Sequence, residues 1–253
     1  LKIDRQAMVY WARKLCARSF GIGADGLIFL ESQPDESGAD YCWHFYNSDG
    51  SRAEMCGNGS RCAARLAYEL GLAPAKHIIG TDAGAIKAEV VAAGKEVKVQ
   101  LTSPRDLSLN IPLSLDSGRR ITAHFVNTGV PHVVYFSSRA AAENLKEMGP
   151  AIRYHPRFAP AGSNVNCVQV KKDKSLFVRT YERGVEDETL ACGTGAAAAA
   201  VIANALGHCG PKVSVVTTSR EHLEISLEKD GVFLRGQAVL VYTGELIPEA
   251  VGL

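Results

Sequence analysis

Two stretches of this chain carry the same order of apolar and polar positions. Cys56-Gly-Asn-Gly-Ser-Arg-Cys-Ala-Ala-Arg-Leu-Ala-Tyr-Glu-Leu-Gly71 aligns without gaps on Cys192-Gly-Thr-Gly-Ala-Ala-Ala-Ala-Ala-Val-Ile-Ala-Asn-Ala-Leu-Gly207, at an offset of 136 residues (192 minus 56). Alanine runs match by chance, but a shared Cys-Gly-x-Gly start and a glycine stop at equal distance point to an internal duplication. Each stretch is rich in helix formers, and Gly71 and Gly207 stand where a left-handed cap ends a helix. Strand-like runs at residues 41–46 and 176–181 precede the two helices. Others follow at 85–91 and 97–101, then at 213–217 and 222–227. Helices are also predicted at 5–17, with Asp4 as N-cap, and at 138–148.

Many short strands with one well-marked helix per half give an α+β fold. The expected architecture is two pseudo-symmetric domains, each a curled, mostly antiparallel sheet around a central helix, with the active site in the cleft between them. The halves span 1–110 and 117–240, and the segment 241–253 returns to the first. Residues 102–120, with Pro104 and Pro112 and no clear period, read as a linker.

A chain of 253 residues accommodates two such domains. The formal net charge of +1 gives no basic excess for nucleic acid or an anionic surface. No apolar run approaches the ~18 residues that span a bilayer. Seven cysteines, an odd number and without a CxxC pair, argue against a disulfide scaffold and against zinc. A cytoplasmic location fits best. Cys16, Cys42, Cys62, Cys167 and Cys209 read as small buried hydrophobes.

The first N–H groups of a helix lack partners within it and carry partial positive charge. Gly57, Asn58 and Gly59 therefore form one anion site, and Gly193, Thr194 and Gly195 another. A cysteine at such a start is expected to have a lowered pKa. Brought face to face, the halves would hold one carboxylate between two helix starts, with Cys56 and Cys192 on its two sides. That layout removes a proton from one face of an α-carbon and returns one to the other, while the helix starts stabilise the developing enediolate charge.

These residues resemble diaminopimelate epimerases. The likeness is carried by Phe20-Gly-Ile-Gly-Ala-Asp-Gly26, Tyr46-Asn-Ser-Asp-Gly50, Met55-Cys-Gly-Asn-Gly59, Asn127-Thr-Gly-Val-Pro-His132, Gly162-Ser-Asn-Val165, Tyr181-Glu-Arg-Gly184 and Ala191-Cys-Gly-Thr-Gly195. The resemblance implies catalytic thiols at Cys56 and Cys192, with Glu182 and His132 beside them. It places the substrate carboxylate on Gly57, Asn58, Gly193 and Thr194, and the distal end of the substrate on Asn47, Asn127, Asn164 and Arg183. It implies interconversion of LL- and meso-diaminopimelate without cofactor or metal, in lysine and peptidoglycan precursor synthesis, by a homodimer. A guanidinium at Arg183 suits a carboxylate, and asparagines suit an ammonium beside it. At the 136-residue offset Asn47 falls opposite Arg183. The family's opening His-Gly-x-Gly-Asn-Asp-Phe segment has no counterpart, so Leu1 is expected to stand after it. Gly236-Gln237 replaces a frequent Gly-Pro.

Three other readings remain open on sequence alone: a racemase of histidine or another amino acid on this scaffold, a related isomerase without the thiol pair, and a redox protein joining Cys56 to Cys192. Arg183 with Asn47 and Asn164 favours a charged distal group, and so favours diaminopimelate.

Overall fold

A computed structural model describes residues 3–32, 38–91 and 94–252. Leu1 and Leu253, at the ends of the expected domain spans, lie outside them. The chain divides into two compact units, Leu1–Val99 with Gln237–Leu253, and Gln100–Gly236.

In the first unit, α1 (Arg5–Cys16) starts where Asp4 accepts hydrogen bonds from Gln6 N at 2.7 Å and Ala7 N at 3.0 Å. β1 (Gly26–Glu31) and β2 (Tyr41–Asn47) lead to α2 (Gly57–Glu69), which is followed by β3 (Lys76–Thr81), β4 (Gly84–Val91) and β5 (Glu96–Gln100). The strands lie in the order β1-β2-β3-β4-β5. β2 and β3 are parallel and the other pairs antiparallel. α2 packs on β1 and β4, burying Ala63, Ala64 and Ala67. The tail carries a 3-10 turn, Pro248–Val251, against α1, and its carbonyls at Gln237 and Ala238 accept from Arg61 and Arg65.

The second unit opens with β6 (Arg105–Ser114), β7 (Arg120–Asn127) and β8 (Pro131–Phe136). A 3-10 turn (Ala140–Ala142) and α3 (Leu145–Arg153) follow, then β9 (Asn164–Val170), β10 (Leu176–Glu182) and β11 (Asp187–Thr189). α4 (Gly193–Ala205) precedes β12 (Lys212–Thr217), β13 (His222–Glu228) and β14 (Gly231–Gln237). The order is β14-β13-β12-β10-β9-β8-β7-β6, with β11 beside β10. α4 packs against β7, β8, β9, β10, β12 and β13. Ala196 to Ala200, Ile202 and Ala203 are all buried, which explains the alanine run: a helix walled by strands has no polar face, and small side chains let the strands close on it.

The duplication extends to topology. β1/β2 matches β9/β10, β2/β3 matches the parallel pair β10/β12, and β3/β4/β5 matches β12/β13/β14. α2 and α4 both end one residue before a leucine cap followed by a left-handed glycine, Gly71 at φ 68° and Gly207 at φ 75°.

Two sequence expectations fail. The supposed linker contains β6, whose pairing with β7 shifts register around Ser108. Asp106 and Asn110 adopt positive φ, and such irregularities reset the two-residue alternation that reveals a strand. The helix expected at 138–148 is instead the 3-10 turn and α3, which continues through Gly149-Pro150. Gly149 is not a stop there. It leaves room for the Tyr181 ring, which a Cβ would strike.

Candidate active site

Cys56 and Cys192 are the N-cap residues of α2 and α4, both extended in backbone, at φ −148° and φ −130°. The surroundings of the two caps differ.

In the first unit, Cys56 Sγ accepts from Gly59 N at 3.4 Å, so the side chain satisfies one of the free donors of the helix start. A pocket of about 390 Å³ brings together Cys56, Asn58, Gly59, Asp25, Ile28 and Phe45. Gly57 is buried. Asn47 closes the turn after β2, its Nδ2 donating to Ser51 Oγ at 2.9 Å.

In the second unit, Cys192 stands at the start of α4 among other polar groups. Its Sγ lies 3.4 Å from Thr194 Oγ1, and Glu182 is near enough for its charge to act on the thiol. Burial pushes this thiol up to about 12, and the Glu182 charge pushes the same way. Hydrogen bonds from Thr194 and Gly195 N pull downward but are weaker. The lowered pKa expected from the helix start is therefore overturned for Cys192, because desolvation of the thiolate outweighs the helix-start donors. Thr189 Oγ1 donates to Glu182 Oε1 at 2.6 Å and fixes that carboxylate.

His132 is fully buried at the start of β8 and touches the thiol only through Thr194, whose Oγ1 is 3.0 Å from His132 Nε2. Burial, with Arg183 nearby, lowers its pKa to about 3, so the ring is neutral. Asn164 Oδ1 accepts from Arg183 N at 2.7 Å, and the Arg183 guanidinium reaches Ala161 O at 3.2 Å. Asn127 Oδ1 accepts from Gly129 N at 3.0 Å, and the neighbouring Thr128 hydroxyl donates to Thr194 O at 3.0 Å, tying this turn to the start of α4. Half-buried Gly193 is the first residue of that helix. Cys192, Thr194, His132, Glu182 and Asn164 thus form one cluster, with Arg183 at its edge.

Strand register corrects one equivalence. Tyr41 pairs with Ile79 as Leu176 pairs with Val215. Counting along β2 and β10 from these residues brings Asn47 to the place of Glu182, not Arg183, because the loop before α4 is one residue longer.

The sequence reading missed Asn166, Thr180 and Thr189, which hold the cluster in place. A signal existed for Asn166: it alternates with Asn164 along β9, and two buried amides on one face of a strand run against strand composition. Among the described residues no group of three or more His, Cys, Asp or Glu could hold a metal, and no helix is long and apolar enough to cross a membrane.

The family model described as diaminopimelate epimerase matches residues 2–107 and 124–245. The chain belongs to the diaminopimelate epimerase family. Its relatives include a diaminopimelate epimerase of Hydrogenobaculum sp. (strain Y04AAS1), 48% identical over 93% of this chain and 85% of that one. Another, from Aquifex aeolicus (strain VF5), is 48% identical over 95% of this chain and 86% of its own. Among solved structures, a probable proline racemase from Agrobacterium radiobacter K84 superimposes with TM-score 0.69 at 18% identity, covering 96% of this chain and 84% of that one. A hydroxyproline epimerase from Agrobacterium vitis gives 0.68 at 16%, covering 90% and 77%. At such identities these structures speak for the fold.

Proposed function

We propose that this chain interconverts LL- and meso-diaminopimelate by passing an α-proton between two thiols, Cys56 and Cys192. The observation that carries the reading is that a cysteine caps the equivalent helix in each unit, in a chain that belongs to this family.

The chemistry follows from the groups present. The substrate carboxylate would lie at the N–H groups of Gly57 and Asn58 and of Gly193 and Thr194, where charge developing on its oxygens is met by donors already in place. Cys192 is protonated at neutral pH and serves as the acid in one direction. In that direction Cys56 takes the α-proton, and Cys192 gives its own proton to the opposite face of the carbanion. The thiols have then exchanged states, and the reverse reaction starts from that exchange. Arg183, Asn47, Asn127 and Asn164 would read the distal amino-acid end. A cytoplasmic location, a role in making lysine and peptidoglycan precursors, and a homodimer belong to the same reading.

The test is hydrogen exchange in D2O followed by NMR, with LL-diaminopimelate beside histidine, glutamate and proline. Deuterium entering the α-position of diaminopimelate alone, with meso product and no added cofactor, is expected. Exchange confined to another amino acid would keep the two-thiol chemistry and replace the substrate. No exchange from folded, reduced protein would remove the reading.

A further inference from the structure

We propose that Asn166 is a positioning residue that holds His132 as its Nε2–H tautomer and so turns the Thr194 hydroxyl toward Cys192. The inference deepens the epimerase reading and rests on it for its kinetic consequence.

The polarity of the chain can be worked out from groups with only one role. The side chain of Asn166 is fully buried. Its Nδ2 stands 3.0 Å from Val133 O, which can only accept. Its Oδ1 is 2.9 Å from the Thr180 hydroxyl, which donates to it. The amide orientation is thereby fixed, and the second hydrogen on Nδ2 points at His132 Nδ1, 3.1 Å away. That nitrogen must accept, so it carries no hydrogen.

In the neutral ring the hydrogen then sits on Nε2. Thr194 Oγ1, at 3.0 Å, takes it. Asn164 Nδ2 also faces Nε2, but at 3.5 Å it is at the outer limit of a hydrogen bond. Having accepted from His132, the Thr194 hydroxyl directs its own hydrogen at Cys192 Sγ, 3.4 Å away. The thiol proton of Cys192 is then free to turn toward the nearby carboxylate of Glu182, which Thr189 holds. Cys192 therefore has a donor on one side and a proton acceptor on the other. When it becomes a thiolate, the Thr194 hydrogen bond is already aimed at the charge. A cationic His132 would set an N–H on Nδ1 against an N–H of Asn166, which adds to the effect of burial in keeping the ring neutral.

The first unit lacks this device. Ile28 pairs with Phe45 where Asn166 pairs with Thr180, so two apolar side chains occupy the equivalent places. The relay belongs to Cys192 alone of the two caps.

The direct test is long-range ¹⁵N–¹H NMR of the His132 ring in the unaltered protein. A hydrogen on Nε2 and a bare Nδ1 are expected from pH 6 to 8. A hydrogen on Nδ1 would overturn the proposal, whatever the protein catalyses. Asn166→Asp comes next, because it keeps the shape but presents an acceptor to Nδ1. It should move the hydrogen to Nδ1 or protonate the ring, lower kcat roughly 10- to 100-fold with little change in KM, and shift the pH profile. An unchanged tautomer or an unchanged kcat in folded Asn166→Asp would refute the positioning role. Should that variant fail to fold, the tautomer read in the unaltered protein still decides the proposal. The tautomer is read without turnover, so failure of the epimerase reading stays distinguishable from failure of this one.

Discussion

The side-chain oxygen of Asn166 occupies the space that a methyl group on Gly195 would need. Helix α4 can start this close to β9 only because its third residue has no Cβ, and the amide that a Cβ there would strike is the one that faces His132. Gly195→Ala should therefore cost about 1–3 kcal/mol by overpacking and also disturb the tautomer. Its counterpart Gly59 meets the Ile28 Cδ1 tip at 3.2 Å and the edge of Trp43 at 3.3 Å, groups that can give way more easily. Thermal midpoints should fall further for Gly195→Ala than for Gly59→Ala. Equal losses would contradict the packing account.

Stability should fall in mild acid. His132 has a folded pKa of about 3, well below its ordinary value, so between the two the unfolded chain binds a proton that the folded chain does not. Stability is then complete above about pH 6.5 and decreases as pH falls toward 3, by an amount on the order of a few kcal/mol. His77 and His124 are shifted the same way by burial and add to the slope. Urea midpoints at pH 7.5 and 5 would measure it. A His132→Gln variant should show a shallower slope than the parent, and an identical slope would assign the effect elsewhere.

Arg179 and Glu188 form a two-pronged ion pair at 2.8 and 2.6 Å, and the same guanidinium holds the carbonyls of Ala140 and Glu143, each at 2.8 Å. Both side chains are largely covered, at 14% and 19% exposure. Arg179→Met should destabilise by about 3–5 kcal/mol, because it strands Glu188 and two carbonyls. Arg179→Lys should recover only part of this, since an ammonium lacks the fork. Full recovery by lysine would show that charge alone matters.

Alkylation of Cys192 should be slow at neutral pH. With the thiol pushed up to about 12, the thiolate fraction and the iodoacetamide rate should rise about tenfold per pH unit from 7 to 9. Peptide mapping separates this site from the other cysteines. A plateau near pH 8 would mean that the helix-start donors, and not burial, set the ionisation of Cys192.

Cys56→Ala and Cys192→Ala should each abolish epimerisation while leaving the fold intact. Near-normal turnover in either single variant, followed by the appearance of the meso isomer, would end the two-thiol assignment.

The two cysteine-capped helices were legible in the sequence because the duplication repeats both their starts and their stops. β6 was not, since Asp106 and Asn110 turn the backbone aside and break the alternation. α3 was displaced because Gly149-Pro150 reads as punctuation, while the glycine serves the Tyr181 ring. The cluster residues to which a role is proposed could be named from their motifs. Of the groups that orient them, Asn166 left a signal in its alternation with Asn164, whereas Thr180 and Thr189 act across strand pairings that no local spacing reveals. The sign of the Cys192 shift was misjudged for a related reason: helix-start donors are visible in a sequence, whereas the depth of burial opposing them is a property of the packed unit.

The first unit draws on both ends of the chain, with Gln237 and Ala238 accepting from Arg61 and Arg65 and the turn at Pro248–Val251 lying on α1. The second unit is one continuous stretch. During synthesis the second can complete its core while the first still waits for its closing segment, although the first was begun earlier. The order of assembly thus runs against the order of translation. The long-range closure needed by the first unit makes it the slower to mature and the more exposed to capture while incomplete.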